Sequence, residues 1–85
     1  MILVSVDFRK ENQIQIFPNP TSGELEIVGD NMEGATIKIF DNMGKQVRTL
    51  ILSKQELDIS DLPNGMYFIQ INQEGRFFES KIIKE

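Results

Sequence analysis

Three stretches of the chain alternate apolar with polar side chains at a period of two: Gln13-Ile14-Gln15-Ile16-Phe17, Glu24-Leu25-Glu26-Ile27-Val28 and Thr36-Ile37-Lys38-Ile39-Phe40. A strand points successive side chains to opposite faces, so this pattern specifies extended segments with one buried side. Ile14 and Ile16, Leu25 and Ile27, and Ile37 and Ile39 are the residues expected on those buried sides. Further segments at 46–52, 56–59, 66–71 and 76–83 bring the expected strands to seven, each bounded by turn signals. Only 52–57 offers a helical turn, and Ser53-Lys54-Gln55 within it reads more simply as a loop.

The turns repeat one device. Asp41-Asn42-Met43-Gly44 and Asn72-Gln73-Glu74-Gly75 both place glycine fourth, which suits a type I turn closed by a left-handed residue in a G1 bulge, so both are expected to be hairpins. Pro20-Thr21-Ser22-Gly23 fits the same template. Each of Pro18 and Pro20 crowds the α region of the residue before it and lacks a ladder N–H, so 17–20 is expected to be a strand exit at a sheet edge. Leu62-Pro63-Asn64-Gly65 leads into Met66-Tyr67-Phe68-Ile69, apolar on both faces, and that strand is the expected centre of the core.

A chain of 85 residues has room for one core. Seven short antiparallel strands are too many for one flat sheet of this length, which predicts an all-β fold: a Greek-key β-sandwich of two stacked sheets, with a barrel as the lesser option. The chain has no cysteine and no histidine, which removes disulfides, thiol nucleophiles, imidazole bases and the usual zinc ligands together. Neither a catalytic pair nor a cofactor is expected. Its 13 acidic and 9 basic residues give a net charge of -4 with no basic cluster, so nucleic acid is not an expected partner. The apolar start, Met1-Ile2-Leu3-Val4, is cut short by Ser5, Asp7, Arg9, Lys10 and Glu11 before it reaches the length of a signal-peptide core or a membrane span. An exported form would carry its signal elsewhere, in a longer precursor.

Candidate sites are few. Gly29-Asp30-Asn31-Met32-Glu33-Gly34 gathers oxygen ligands but lacks EF-hand spacing, and is expected to be a solvated loop and not a metal site. Asp58 and Asp61 have no evident companion cation in the sequence; Asp61 or Ser60 is expected to cap the turn through Leu62-Pro63. Phe77 and Phe78 must point to opposite faces, one into the core and the other under a loop. Lys81 and Lys84 read as edge lysines that discourage aggregation on a last strand.

Four motifs then occur in one order: Pro18-Asn19-Pro20-Thr21-Ser22-Gly23-Glu24-Leu25; Ile39-Phe40-Asp41-Asn42-Met43-Gly44-Lys45; Leu57-Asp58-Ile59-Ser60-Asp61-Leu62-Pro63-Asn64-Gly65-Met66-Tyr67-Phe68-Ile69; and Lys81-Ile82-Ile83-Lys84. In this order the chain resembles the C-terminal sorting domain of the type IX (Por) secretion system of the Bacteroidetes, from about residue 14 to the last. The resemblance implies a seven-stranded antiparallel immunoglobulin-like β-sandwich over residues 13–85, preceded at 1–12 by a linker or an extra first strand. It implies a non-catalytic signal that follows an N-terminal passenger, absent from this chain, through the periplasm to the outer-membrane translocon. A sortase-like protease then commonly removes it, leaving the passenger on the cell surface or outside the cell. The matching positions are Pro18, Asn19, Pro20, Gly23, Gly44, Gly65, Tyr67, Gly75, Lys81 and Lys84.

The glycines and prolines among these positions are expected to shape turns, and Tyr67 to pack in the core. The final hairpin with Lys84 is the expected recognition surface, and an open edge at Ile82-Ile83 leaves room for an edge-strand dimer. A cell-surface adhesion or carbohydrate-binding module is the competing reading, because sandwiches of this kind host both functions.

Overall fold

The computed structural model describes residues 14–85, so the linker or extra strand expected at 1–12 lies outside the described residues. Every regular element in the described part is a strand: β1 (Gln15–Phe17), β2 (Glu24–Val28), β3 (Thr36–Asp41), β4 (Gln46–Ile51), β5 (Glu56–Asp58), β6 (Gly65–Gln73) and β7 (Arg76–Lys84). They form two antiparallel sheets, one ordered β1-β2-β5 and the other β4-β3-β6-β7. The chain crosses between sheets after β2, β4 and β5, which gives the β-sandwich that the alternating pattern predicts.

The period-two reading sorts the side chains correctly where both neighbours of a strand are present. Leu25, Ile27, Ile37, Ile39, Leu57, Ile69, Ile71 and Ile82 fill the space between the sheets, joined by Met32, Ala35, Leu52, Ile59 and Tyr67 from turns and strand ends. Ile14 and Ile16, at the edge of the smaller sheet, are only half-buried against this cluster. Burial of branched aliphatic side chains is the main favourable contribution here, at about 1.5–3 kcal/mol each. Phe78 packs on the core, whereas Phe77 is 57% exposed and lies under no loop, contrary to expectation.

The two hairpins differ. At residues 41–45 the Gly44 N–H donates to the Asp41 carbonyl at 3.0 Å and the Asp41 N–H to the Lys45 carbonyl, with Gly44 at φ +85°. The Asp41 carboxylate accepts from the N–H groups of Met43 and Lys45, and the β3–β4 register shifts between Ile39 and Phe40. This is the expected bulged turn. Between β6 and β7, by contrast, Gln73 pairs directly with Arg76 across Glu74 and Gly75, both at positive φ. Two central residues of that kind make a type I′ connection, whose twist matches that of the strands it joins.

Seen along the strands, the sandwich has two ends. The proximal end, where β1 begins, holds the connections at 29–35, 52–55 and 74–75; the distal end holds residues 18–23, 42–45 and 59–64 and the finish of β7. At the distal end Gly23, at φ +144°, lies so close to the β5–β6 connection that an added Cβ would sit 2.7 Å from both Cα and Cβ of Ser60. Its carbonyl accepts the Ile59 N–H at 2.7 Å. Gly44, in contrast, has open space where a Cβ would go. Gly44→Ala is therefore expected to cost about 1–2 kcal/mol from left-handed strain alone, and Gly23→Ala clearly more, because backbone must also move. Urea unfolding of the two variants checks the order; equal midpoints would contradict it.

Candidate functional site

Residues 18–23 leave β1 and do not stay at the edge of its sheet. They run to the other sheet and lie along the outer side of β7. Both peptide bonds into proline here, at Phe17-Pro18 and Asn19-Pro20, are cis. The Asn19 amide donates to the Lys81 carbonyl and its oxygen accepts the Ile83 N–H, each at 2.9 Å. Two residues on, the Thr21 N–H donates to the Ile83 carbonyl at 2.8 Å, and the Glu85 N–H donates to the Thr21 carbonyl at 2.9 Å, a parallel bridge opposite Lys84. One side-chain amide and one backbone residue thus satisfy three outward-facing groups of β7 and the N–H of Glu85 just after it, which would otherwise form an open edge. Thr21 is 3% exposed; its hydroxyl donates to the Glu24 carbonyl and accepts the Gly23 N–H, which fixes the exit into β2.

The closed edge includes the one beside Ile82-Ile83, expected to be open. Lys84 is likewise not an edge lysine available for reading: it is 8% exposed, and its ammonium donates to the Asn64 amide oxygen at 3.1 Å. That bond ties the β7 finish to the turn before Gly65, which pairs with Lys84 in the β6–β7 ladder at φ +154°. Tyr67, 5% exposed, sends its hydroxyl to the Pro63 carbonyl in the same turn. The side chain of Lys81 is exposed and only its carbonyl takes part in the edge closure.

Arg48 closes the open side between the two sheets. The β3–β4 ladder sets it opposite the inward-facing Ile39, next to the extra residue Val47 that bulges β4, and from there its guanidinium donates to the Asp58 carbonyl at 2.9 Å and to the Asp61 carboxylate at 2.5 Å. Asp61 therefore does have a companion cation, and does not cap the turn. The cap is Asp58, whose carboxylate accepts the Ser60 N–H at 2.8 Å. The hydrogen bond from Arg48 holds the Asp61 carboxyl below its ordinary range and raises Arg48, while bonds from the Ser60 side chain and then its backbone hold Asp58 low. At the proximal end, the Gln73 amide donates to the carbonyls of Asn31 and Glu33, and Met32 is buried beneath the loop that contains them. This loop is thus anchored from below, beyond the solvated turn expected for it. Among the described residues no group of three or more acidic side chains converges as metal ligands would.

The residues singled out in the sequence span positions 18 to 84, yet Pro18, Asn19, Pro20, Gly23, Gly44, Gly65, Tyr67, Lys81 and Lys84 come together at or beside the distal end; Gly75 alone belongs to the proximal hairpin. The secretion system C-terminal sorting domain family matches residues 15–85. The chain belongs to that family. Among curated proteins, the sorting domain is similar to the ulvan lyase NLR42 of Nonlabens ulvanivorans, 26% identical over 84 residues. That alignment takes in 94% of this chain and 16% of the relative, so the sorting domain spans about a sixth of that protein's length.

Sequence reasoning missed four participants in the distal end of the sorting domain: Thr21, Arg48, Asn64 and the capping role of Asp58. Thr21 and Asn64 sit inside the quoted motifs, so their positions were visible though their bonds were not. Arg48 shares the face of Leu50 two positions on, but its partner Asp61 reaches it from a connection to the other sheet, which no local pattern signals.

Two outcomes follow from this geometry. Asn19→Ala removes one donor and one acceptor from the β7 edge, so the full chain is expected to lose about 1–2 kcal/mol, with faster amide exchange at Ile83. Unchanged exchange at Ile83 would contradict the edge closure. Asp58 and Asp61 are more acidic folded than unfolded, so their contribution is present above the ordinary aspartate pKa and disappears as pH falls through the lower folded values. The urea midpoint is expected to be flat near neutrality and to fall below about pH 4, with a shallower fall in Asp61→Asn.

Proposed function

We propose that the sorting domain is a non-catalytic address carried behind an exported passenger. The passenger precedes β1, so the chain arrives at the proximal end and leaves the distal end facing away. After transit through the periplasm, the outer-membrane translocon of the type IX system captures the folded domain. A sortase-like protease then removes it, and the passenger stays on the cell surface or passes outside the cell.

The observation that carries this reading is the family match over residues 15–85, the whole sandwich. Rigidity of the distal end supports it in physical terms. Binding energy is lost when loops must be ordered on association, and a surface whose turns are already fixed by side-chain bonds avoids that loss. The domain acts as a ligand for the translocon, and its own residues hold shape: Asn19 and Thr21 close the β7 edge, Gly23 permits the close approach to Ser60, and Arg48 and Lys84 bind the connection at 59–64 to the sheets.

The test fuses the complete chain behind a signal peptide and a fluorescent reporter in a Bacteroidetes host, with and without a working type IX translocon. Reporter at the surface or in the medium only with the intact translocon is the expected outcome. Reporter held in the periplasm of both strains, with the domain folded, would overturn the proposal and favour the adhesion module.

A further inference from the structure

The start of β6 is apolar on both faces, and a two-layer sandwich can use only one of them. Tyr67 and Ile69 point into the core; Met66 and Phe68 therefore point out of the four-stranded sheet. In the ladder Phe68 stands opposite Phe40 on one side and Lys81 on the other, and Met66 stands opposite Ile83. Directly opposed residues of a sheet share a face, so Phe40, Met66, Phe68 and Ile83 make one outward patch in the distal half of this sheet. All four are half-buried, yet none belongs to the partly buried residues packed on the core. No described element packs over this face. Alternation along the strands would ordinarily put polar side chains here.

Charge separates this face from the opposite one. The exposed charges beside the patch are Lys81, opposite Phe68, and Lys38 with Glu79, which share the next row along the sheet, so lysine outnumbers glutamate two to one. The outward face of the three-stranded sheet, by contrast, carries Glu24, Glu26, Glu56 and Asp58, and its strands contain no lysine or arginine. An apolar centre with a basic rim fits a protein surface that is apolar in the middle and carboxylate-bearing around it. A lipid bilayer fits less well, since all four patch residues are half-buried and the chain as a whole is anionic at -4. The passenger is no better placed as occupant, because β1 starts at the other end of the other sheet.

We infer that the outward patch of Phe40, Met66, Phe68 and Ile83, rimmed by Lys38 and Lys81, is the surface by which the domain docks on an apolar, acid-rimmed protein component of the translocon. This rests on the reading of the chain as a translocon ligand and assigns that role to one face. Central aromatic anchors in such interfaces carry most of the binding energy, with rim charges setting the encounter rate.

The experiment uses the reporter fusion with the complete chain in three forms: unaltered, Phe40→Thr with Phe68→Thr, and Lys38→Glu with Lys81→Glu. The lysine pair is exposed, so its variant keeps the fold even where the phenylalanine variant does not; urea unfolding of each purified chain establishes which is folded. A fourth form, Glu26→Lys with Glu56→Lys, alters the opposite face. The expected result is export of the unaltered and the opposite-face forms, and at least about tenfold less surface reporter for the folded patch variants, the loss that removal of interface anchors produces. Normal export of a folded lysine variant, with the unaltered form translocon-dependent, would overturn the assignment of the face and leave the sorting role standing. Failure of the unaltered form would overturn both. Lysine-dependent sedimentation of the purified chain with phosphatidylethanolamine–phosphatidylglycerol vesicles would replace the protein partner with a lipid surface and also overturn the inference.

Discussion

Closure of the β7 edge by Asn19 and Thr21 is the contact on which the remaining architecture depends. A small sandwich has four sheet edges, and each presents unpaired backbone groups that cost stability if buried and invite association if exposed. Here the segment that leaves the smaller sheet pairs with the last strand of the larger one, through four hydrogen bonds between 2.8 and 2.9 Å. The same contact joins the two layers and fixes where β7 finishes. Because Asn19 supplies a donor and an acceptor at one position, a single amide does the work of a peptide unit.

Once that edge is set, the rest of the distal end assembles around it. The β7 finish positions Lys84 against Asn64, and the turn so held offers the Pro63 carbonyl to Tyr67. The approach of Gly23 to Ser60 draws the β5–β6 connection inward, where Asp61 meets Arg48 from the other sheet. Exposed ion pairs contribute little by themselves; the Arg48 contact matters for its reach across the open side of the sandwich more than for its charge. Apart from the local bond of Tyr67 to Pro63, these contacts join elements remote in sequence, so this end is held together only in the complete fold.

The opposite outward faces complete the division of labour. One is acidic, the other basic and apolar, and neither is needed for the core, which the inward residues fill unaided. An apolar pair such as Phe40 and Phe68 on a solvent face lowers solubility without stabilising the interior, and exposed apolar clusters of this kind ordinarily mark interaction surfaces.

The sequence by itself determined the strands, their inward faces and the bulged 41–45 hairpin. Period-two alternation and glycine position act through contacts one or two residues away, and those are the same in any fold. Its motifs, in their order, also carried the family. Tertiary structure alone decided that 18–23 would pair with β7 and leave its own sheet, that Lys84 would be buried, that Arg48 would meet Asp61 across the open side of the sandwich, and that Phe68 would face out while Ile69 faced in. Those outcomes depend on which strands become neighbours across as many as 64 positions of chain. No local pattern encodes that choice, because it is settled by the joint packing of two sheets around one core.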